Sequence, residues 1–246
     1  MELLEIALIS VAILIGIVGI IAAITSIYLS IKYVKFNRRN NSANLTGEDV
    51  ARIILDRNGL SHIKVKVTGS VLFGNSYSHY FKKVRLRRFT RHKTSVTSLA
   101  MGAQKSALAV LDKEGDPDMQ KRIRLVPLIT FGPFAFIPLL VIGVLVDILL
   151  FNSSGVFTLI LCGASILFYL ASLVLSISTL KTEKKAQERA CLLLLENGMA
   201  TYDEIEDMKE LYKLYNIQYI NDIILSALEL IYRILEIAIE IADKGD

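Results

Sequence analysis

The side chains that most often bind metals or transfer protons form no complete catalytic motif in this sequence. Its three histidines are His62, His79 and His92, and no two of them have the i, i+4 spacing at which a helix presents two imidazoles to one metal ion. The cysteines, Cys162 and Cys191, are far apart and indicate neither a disulfide framework nor a cysteine metal site. The residues themselves therefore predict no metal centre, and we expect no bound cofactor.

A basic segment from Lys82 to Lys93 (KKVRLRRFTRHK) is the strongest charge feature. Phe81 and Phe89 lie among its cations, a combination that could bind nucleic acid. It could equally bind an acidic protein surface or anionic lipid headgroups, and beside a membrane lipid contact is the commonest of the three. The residues assigned to this lipid or partner surface are Lys82, Lys83, Arg85, Arg87, Arg88, Arg91 and Lys93.

Long apolar stretches must position these groups. Apolar residues make up 53% of the chain, and its mean hydropathy is +0.48. The stretch from Ile6 to Ile31 holds no charged residue and exceeds the ~20 residues that a helix needs to cross ~30 Å of hydrocarbon. Two more stretches, Leu125–Phe151 and Gly155–Leu180, are separated only by Asn152–Ser154 and predict a helical hairpin. We therefore expect an integral membrane protein with at least three spanning helices.

Basic residues flank the three stretches, and the positive-inside rule assigns these flanks to the cytoplasm. The protein is then integral to the cell membrane, with its N-terminus outside and its main soluble part cytosolic. The flanking clusters are Lys32, Lys35, Arg38 and Arg39, then Lys121, Arg122 and Arg124, then Lys181, Lys184 and Lys185.

Periodicity predicts the elements outside the apolar stretches. They are a capped helix at Thr46–Asn58, a strand pair at His62–Val71 and Lys82–Arg88, a small-residue helix at Thr94–Asp112, and helices at Lys181–Glu196 and Tyr202–Leu214. The last segment, Tyr215–Ala242, is apolar but carries a stripe of charges, so it either spans the membrane or lies at its surface.

The predicted fold class is a mainly α-helical, polytopic membrane protein with a small cytosolic α/β insertion between the first and second spans. Its parts are an N-terminal transmembrane anchor (1–39), a cytosolic domain (40–124) that contains a helix at 95–112, a transmembrane hairpin (125–180), cytosolic helices (181–214) and a C-terminal amphipathic or transmembrane helix (215–246).

Four segments carry a resemblance to a known family. They are LTGEDVARIILDRNGL (Leu45–Leu60), VRL (Val84–Leu86), SVTSLAMGAQKSALAVLD (Ser95–Asp112) and LVPLITFGP (Leu125–Pro133). In sequence and in order they resemble the neutral zinc metallopeptidases embedded in bacterial and archaeal membranes. The resemblance covers nearly the whole chain, and it implies an anchor helix, a cytosolic insertion, a hairpin and a C-terminal helix around a zinc-binding H-E-x-x-H helix.

The catalytic motif of that family is degenerate here. Its H-E-x-x-H falls on residues 104–108, where this chain has Gln104, Lys105 and Leu108. In the family the two histidines hold zinc and the glutamate deprotonates the bound water. An amide is a poor zinc ligand, an alkyl group is none, and an ammonium group repels the metal. The helix at 95–112 is thus a degenerate metallopeptidase helix with no catalytic residue.

One glutamate at a family ligand position remains. The family's third ligand corresponds to Glu183, a candidate relic ligand, although a glutamate among lysines is also explained as an exposed helix charge. We further hypothesise that Lys105 forms an ion pair with Glu183 across the former metal site. Elsewhere, the family's Asp-His-Tyr-Asp stretch keeps only Tyr77, and we expect Asp147, near the outer end of the second span, to reach the membrane interface.

These observations favour a catalytically inactive homologue that acts as a membrane-bound scaffold or partner-binding subunit. One alternative is a divergent zinc metallopeptidase completed by ligands from another subunit. Another is a membrane-surface platform that binds anionic lipid or nucleic acid through Lys82–Lys93. The expected partners are membrane lipids and a protein, in a homo- or hetero-oligomer; nucleic acid is not expected.

Overall fold

The structure is a computed structural model that describes residues 2–68, 74–151 and 156–245. Its elements are mostly helices, with one small sheet. In chain order they are α1 (Glu2–Arg38), α2 (Gly47–Arg57), β1 (Lys64–Val67), β2 (Ser76–Ser78), β3 (Lys83–Leu86), α3 (Arg88–His92), α4 (Val96–Lys113), α5 (Pro117–Val146), a π-helical turn (Asp147–Phe151), α6 (Val156–Glu196) and α7 (Tyr202–Gly245). The predicted turn at Asn152–Ser154 and the end of the first predicted strand at residues 69–71 lie outside the described residues.

Two helices in the described part of the chain are long and apolar enough to cross a membrane. They are α1, whose most apolar 18-residue window has a mean hydropathy of 3.0, and the Ile166–Glu196 part of α6, which holds a window with a mean of 1.4. Most large apolar side chains of α1 are exposed, whereas a soluble protein would bury such a face in its core. The second predicted span is helical in α5, but the structure does not describe most of its side chains. That this helix crosses the membrane therefore remains a prediction. The orientation of the chain in the membrane also remains a prediction.

The chain divides into two compact units. One comprises Met1–Ala23, Arg124–Ser178 and Tyr219–Asp246, and the other comprises Ile24–Ile123 and Thr179–Gln218. The second unit contains the sheet, α2, α3, α4 and the residues at 104–108 and 183, and it is the unit that matters for the candidate site.

Helix α4 is the centre of the second unit, and every residue from Val96 to Leu111 is buried. Its small residues allow close packing against α2, since a Cβ added to Gly102 would lie only 2.5 Å from the Gly47 carbonyl oxygen. The start of α2 is fixed by a capping box, in which the Asp49 amide donates to Thr46 Oγ1 (3.2 Å) and the Thr46 amide donates to Asp49 Oδ2 (3.0 Å). The predicted helices at these positions are confirmed.

The sheet has the strand order β1-β3-β2. Strands β1 and β3 form the predicted pair, and they run parallel. Strand β2, antiparallel to β3, was not predicted, because Ser-Tyr-Ser carries no apolar alternation. On β3 the alternation is clear, with Val84 and Leu86 fully buried against α4 and the basic residues between them partly exposed.

The two long C-terminal helices correct the predicted boundaries. The segment Lys181–Glu196 continues without a break from the apolar part of α6. The segments Tyr202–Leu214 and Tyr215–Ala242, predicted as separate helices, form the single helix α7, because neither glycine nor proline interrupts the chain between them.

In the first unit, Asp147 corrects a further expectation. Its side chain is only 4% exposed and accepts hydrogen bonds from the Thr158 amide (2.8 Å), the Thr158 hydroxyl (2.6 Å) and the Phe157 amide (3.1 Å). The expected extension of the side chain is therefore corrected to a buried position, and the depth of Asp147 in the membrane stays a prediction. The carboxylate instead satisfies amide groups in the first turn of α6, which have no partner within the helix.

Candidate functional site

Three helices of the second unit bring the predicted motif positions and the candidate relic ligand together. Helix α4 contributes Gln104 and Lys105, which are 5% and 9% exposed, and Leu108, which is fully buried in the hydrophobic core. The first two turns of α5 contribute Arg122. Helix α6 contributes Glu183, just beyond the apolar residues that end at Leu180.

Both carboxylate oxygens of Glu183 are bound by donors. Lys105 Nζ lies 2.9 Å and Gln104 Nε2 lies 2.8 Å from Glu183 Oε2, and an Arg122 Nη lies 2.7 Å from Oε1. We call these four residues the Glu183 cluster. The predicted ion pair between Lys105 and Glu183 is confirmed, and the alternative reading of Glu183 as an exposed charge that pairs with neighbouring lysines of its own helix is wrong.

The electrostatics of the Glu183 cluster keep the carboxylate ionised. Burial by itself would raise the pKa of the Glu183 carboxyl group, but the charges of Lys105 and Arg122 outweigh it and hold the pKa at about 2, below the usual 4.5. The side chain is 17% exposed, so solvent screens these charges only in part. The carboxylate thus stays charged over the whole physiological pH range.

Sequence reasoning missed Arg122 as a partner of Glu183. It was assigned to a basic cluster flanking the second span, a role that fixes its side of the membrane but names no protein partner. The available signal was the excess of cations over acids at the start of α5, and no spacing in the sequence connects these cations to Glu183.

Further ion pairs link α6 to the connection between α4 and α5. Lys185 pairs with Asp116 Oδ2 at 2.9 Å and with Asp118. Lys181 lies 3.1 Å from Asp118, and Arg189 lies 2.7 Å from Glu114. These pairs are more exposed than the Glu183 cluster, and each contributes little to stability, typically about 0–1 kcal/mol.

The residues at the metal position that the resemblance predicts do not fit a zinc ion. Zinc requires deprotonated or neutral electron-pair donors in a tetrahedral arrangement. Here Glu183 has both oxygens engaged by cations or an amide N–H, and a second positive ion at this point would be repelled by Lys105 and Arg122. In the described part of the chain, no group of three or more His, Cys, Asp and Glu side chains could hold a metal ion.

The retained tyrosine and one histidine belong to a separate polar network. Tyr77 Oη donates to Asp112 Oδ2 (2.6 Å), His79 Nδ1 lies 2.6 Å from the same oxygen, and Gln120 Nε2 donates to Asp112 Oδ1 (3.2 Å). Burial, followed by the bond to Asp112, raises the pKa of the Tyr77 hydroxyl. The network fixes the end of α4 against β2 and the start of α5, and sequence reasoning singled out only Tyr77 of its members.

The predicted lipid or partner surface is divided in the structure. Lys83 and Arg85 lie over the exposed ring of Phe81, at 4.5 and 5.7 Å from its centroid. Arg91 instead forms a two-bond ion pair with Glu48 (2.5 and 2.6 Å), so it helps to hold α3 against α2. The exposed lysines and arginines of the segment are Lys82, Arg87, Arg88 and Lys93.

A family of known proteins matches this chain over nearly its full length. The model of a family described as "Putative neutral zinc metallopeptidase" matches residues 11–238. A relative described as "Putative membrane protease YugP", from Bacillus subtilis (strain 168), is 23% identical over 197 residues, which are 80% of this chain and 83% of the relative. No solved structure matches the chain. The family resemblance carried by the sequence segments is confirmed.

Proposed function

Because the chain belongs to the neutral zinc metallopeptidase family, we propose that it is a non-catalytic member in which an ionic cluster stands in place of the metal site. The observation that carries the proposal is the engagement of both Glu183 oxygens by Lys105, Arg122 and Gln104. The side chains at the motif positions supply neither the zinc ligands nor the general base that the family's chemistry needs.

The same contacts weigh against a peptidase completed by another subunit. Histidines from a partner could supply two ligands, but Glu183 would still have to release two cations before it could bind zinc. The released Lys105 and Arg122 would then lie beside a divalent ion in a largely buried site, which is electrostatically unfavourable. We therefore favour the scaffold over the shared metal site.

A non-catalytic member acts by binding. The exposed apolar face of α1 supports membrane insertion, and ion pairs connect α4, α5 and α6 within the domain formed by the second unit. We propose that this domain lies in the cytosol and binds a protein partner, either another copy of the chain or a different protein, as a membrane-bound scaffold. Tyr80 and Phe81, each at least 65% exposed, together with Lys83 and Arg85 over the Phe81 ring, give the domain aromatic and basic groups suited to such contact.

Metal content and peptidase activity test the loss of catalysis. Full-length protein, purified in detergent, is analysed for zinc by mass spectrometry and incubated with a protein substrate with and without a chelator. We expect well below one zinc ion per chain and no chelator-sensitive hydrolysis. The positive control is a family member whose sequence contains H-E-x-x-H, purified in the same way. Stoichiometric zinc in this chain together with chelator-sensitive hydrolysis would overturn the proposal.

Cross-linking in intact membranes tests the scaffold role. We expect a reproducible cross-linked species, identified by mass spectrometry, that contains this chain and one other protein or a second copy. A chain that stays monomeric and without a cross-linked protein at native expression levels contradicts the partner-binding part of the proposal, whatever the metal content.

A further inference from the structure

A polar cavity lies beside the C-terminal end of α1 in the second unit. Its volume is about 330 Å³, within the usual size of ligand pockets, about 300–1,000 Å³. Three of its lining side chains are basic, namely Arg38, His92 and Lys93. These three are exposed and form no ion pair with any described residue, whereas other basic residues of the unit, such as Arg91, are held by acids.

The remaining lining side chains, Asn37, Asn40, Thr94 and Ser95, are polar and uncharged. The Ser95 hydroxyl donates to Asn37 Oδ1 (3.1 Å), and the Thr94 hydroxyl donates to Asn40 Oδ1 (3.2 Å). The NH₂ groups of these two asparagines can serve as further donors to a ligand. No described residue that lines the cavity is acidic. A cavity bordered by cations and N–H donors is complementary to a phosphate group, which offers only acceptors and negative charge.

The position of the cavity along α1 indicates that the phosphate it would bind is that of a lipid headgroup. The exposed apolar face of the helix extends to Ile31 and Val34, and Arg38 follows Ile31 by about two helical turns, or roughly 10 Å. The uncharged stretch of α1 is longer than the ~30 Å hydrocarbon core, and headgroups extend the bilayer to about 40–45 Å. Arg38 is thereby placed at headgroup depth. Phe89, 70% exposed and one turn before His92 and Lys93, adds an aromatic side chain of the kind that lies at the membrane interface.

We propose that this cavity binds the phosphate of an anionic phospholipid headgroup, with Arg38, His92 and Lys93 as its cationic contacts and the Asn37 and Asn40 amides as further donors. The site does not depend on the state of the Glu183 cluster, so it goes beyond the proposed function and can be tested separately. It also differs from the basic segment predicted from sequence, with which it shares only Lys93 among the assigned cations.

Native mass spectrometry of the full-length protein tests the proposal. The protein, in a non-ionic detergent, is titrated with phosphatidylglycerol or with phosphatidylcholine of the same acyl chains. The test variant is R38Q/H92Q/K93Q, and the matched control is H62Q/K64Q/K66Q, which also removes one histidine and two cations from exposed positions. Because all six positions are exposed, we expect both variants to fold, with unfolding temperatures close to that of the wild type.

We expect the wild type to bind one phosphatidylglycerol at least tenfold more tightly than phosphatidylcholine, with an affinity that falls as salt is raised. The test variant should lose that preference, and the control should keep it. Equal affinities for the two lipids, an unchanged preference in the test variant, or an equal loss in the control would overturn the proposal. Displacement of the lipid by millimolar inorganic phosphate would assign the site to soluble phosphate and would also overturn it.

Discussion

Neutralising Glu183 is the sharpest test of the Glu183 cluster. In E183Q the side chain keeps its shape, but Lys105 and Arg122, whose side chains are 11% and 16% exposed, lose their counter-charge. Removing one partner of a buried ion pair typically costs about 3–5 kcal/mol. The displacement of the Glu183 pKa from 4.5 to about 2 corresponds to roughly 3 kcal/mol, at about 1.4 kcal/mol per pKa unit.

We therefore expect E183Q to lower the free energy of unfolding by about 3 kcal/mol. For a chain of this size that corresponds to a fall of about 6–12 °C in Tm. Thermal unfolding in detergent, followed by circular dichroism, measures the change. The buried thiol of Cys191 gives a second probe, since a thiol-reactive dye should label it when the second unit unfolds. The matched control is E188Q, the same substitution at an exposed position of α6, for which we expect a change within about 0.5 kcal/mol.

A compensating variant separates the ionic interaction from the packing. In K105M/R122M/E183M all three charges are replaced by apolar side chains of similar length, and such replacements in other proteins are often neutral or stabilising. We expect this variant to be more stable than E183Q. The refuting result is that E183Q and the apolar variant both unfold at the wild-type temperature. In that case the attraction among these charges does not hold α4, α5 and α6 together.

Three further predictions use the same unfolding measurement. The Glu183 contribution should be complete above about pH 4.5 and be lost as the pH falls towards 2, because its folded-state pKa is lowered; equal acid sensitivity in E183Q and the wild type at these pH values would contradict this. G102A should lower the free energy of unfolding by roughly 1–3 kcal/mol, because its Cβ would lie 2.5 Å from the Gly47 carbonyl oxygen. The control G16A, whose Cβ would have nothing within 4 Å, should leave the stability unchanged. A similar loss in both variants would refute the packing argument. D147A should lower stability by about 1–2 kcal/mol, since it removes the acceptor of the first amides of α6, and an unchanged Tm would show that this cap is dispensable.

Local patterns predicted most of the secondary structure. Alternation gave β1 and β3, and the Thr46 cap followed by an apolar face gave α2, because these signals depend on residues close together in sequence. Strand β2 was not predicted, because its pairing depends on β3 rather than on a pattern in its own residues. The continuity of α7 was not predicted, because the change from a polar to an apolar composition near Tyr215 suggested a boundary. A change in composition does not require a break in the backbone.

The site divides in the same way. The meeting of Gln104, Lys105 and Glu183 was predictable, but only because the family resemblance placed them at one metal site. The contribution of Arg122 depends on how α5 enters beside α6, and the capping role of Asp147 depends on the chain returning to the same end of the hairpin. Neither is encoded in a spacing that a single sequence reveals.

The contacts of Lys105 also bear on the evolutionary history of the chain. A return to the family motif requires Gln104→His, Lys105→Glu and Leu108→His, and the changes cannot all be neutral when made singly. Lys105→Glu alone places a second carboxylate beside Glu183, with only Arg122 to balance them, and Leu108→His alone puts a polar ring into the apolar core. Each such intermediate loses stability before any catalytic benefit exists, so under the proposed loss of catalysis the ionic cluster opposes a stepwise return of the zinc-binding motif.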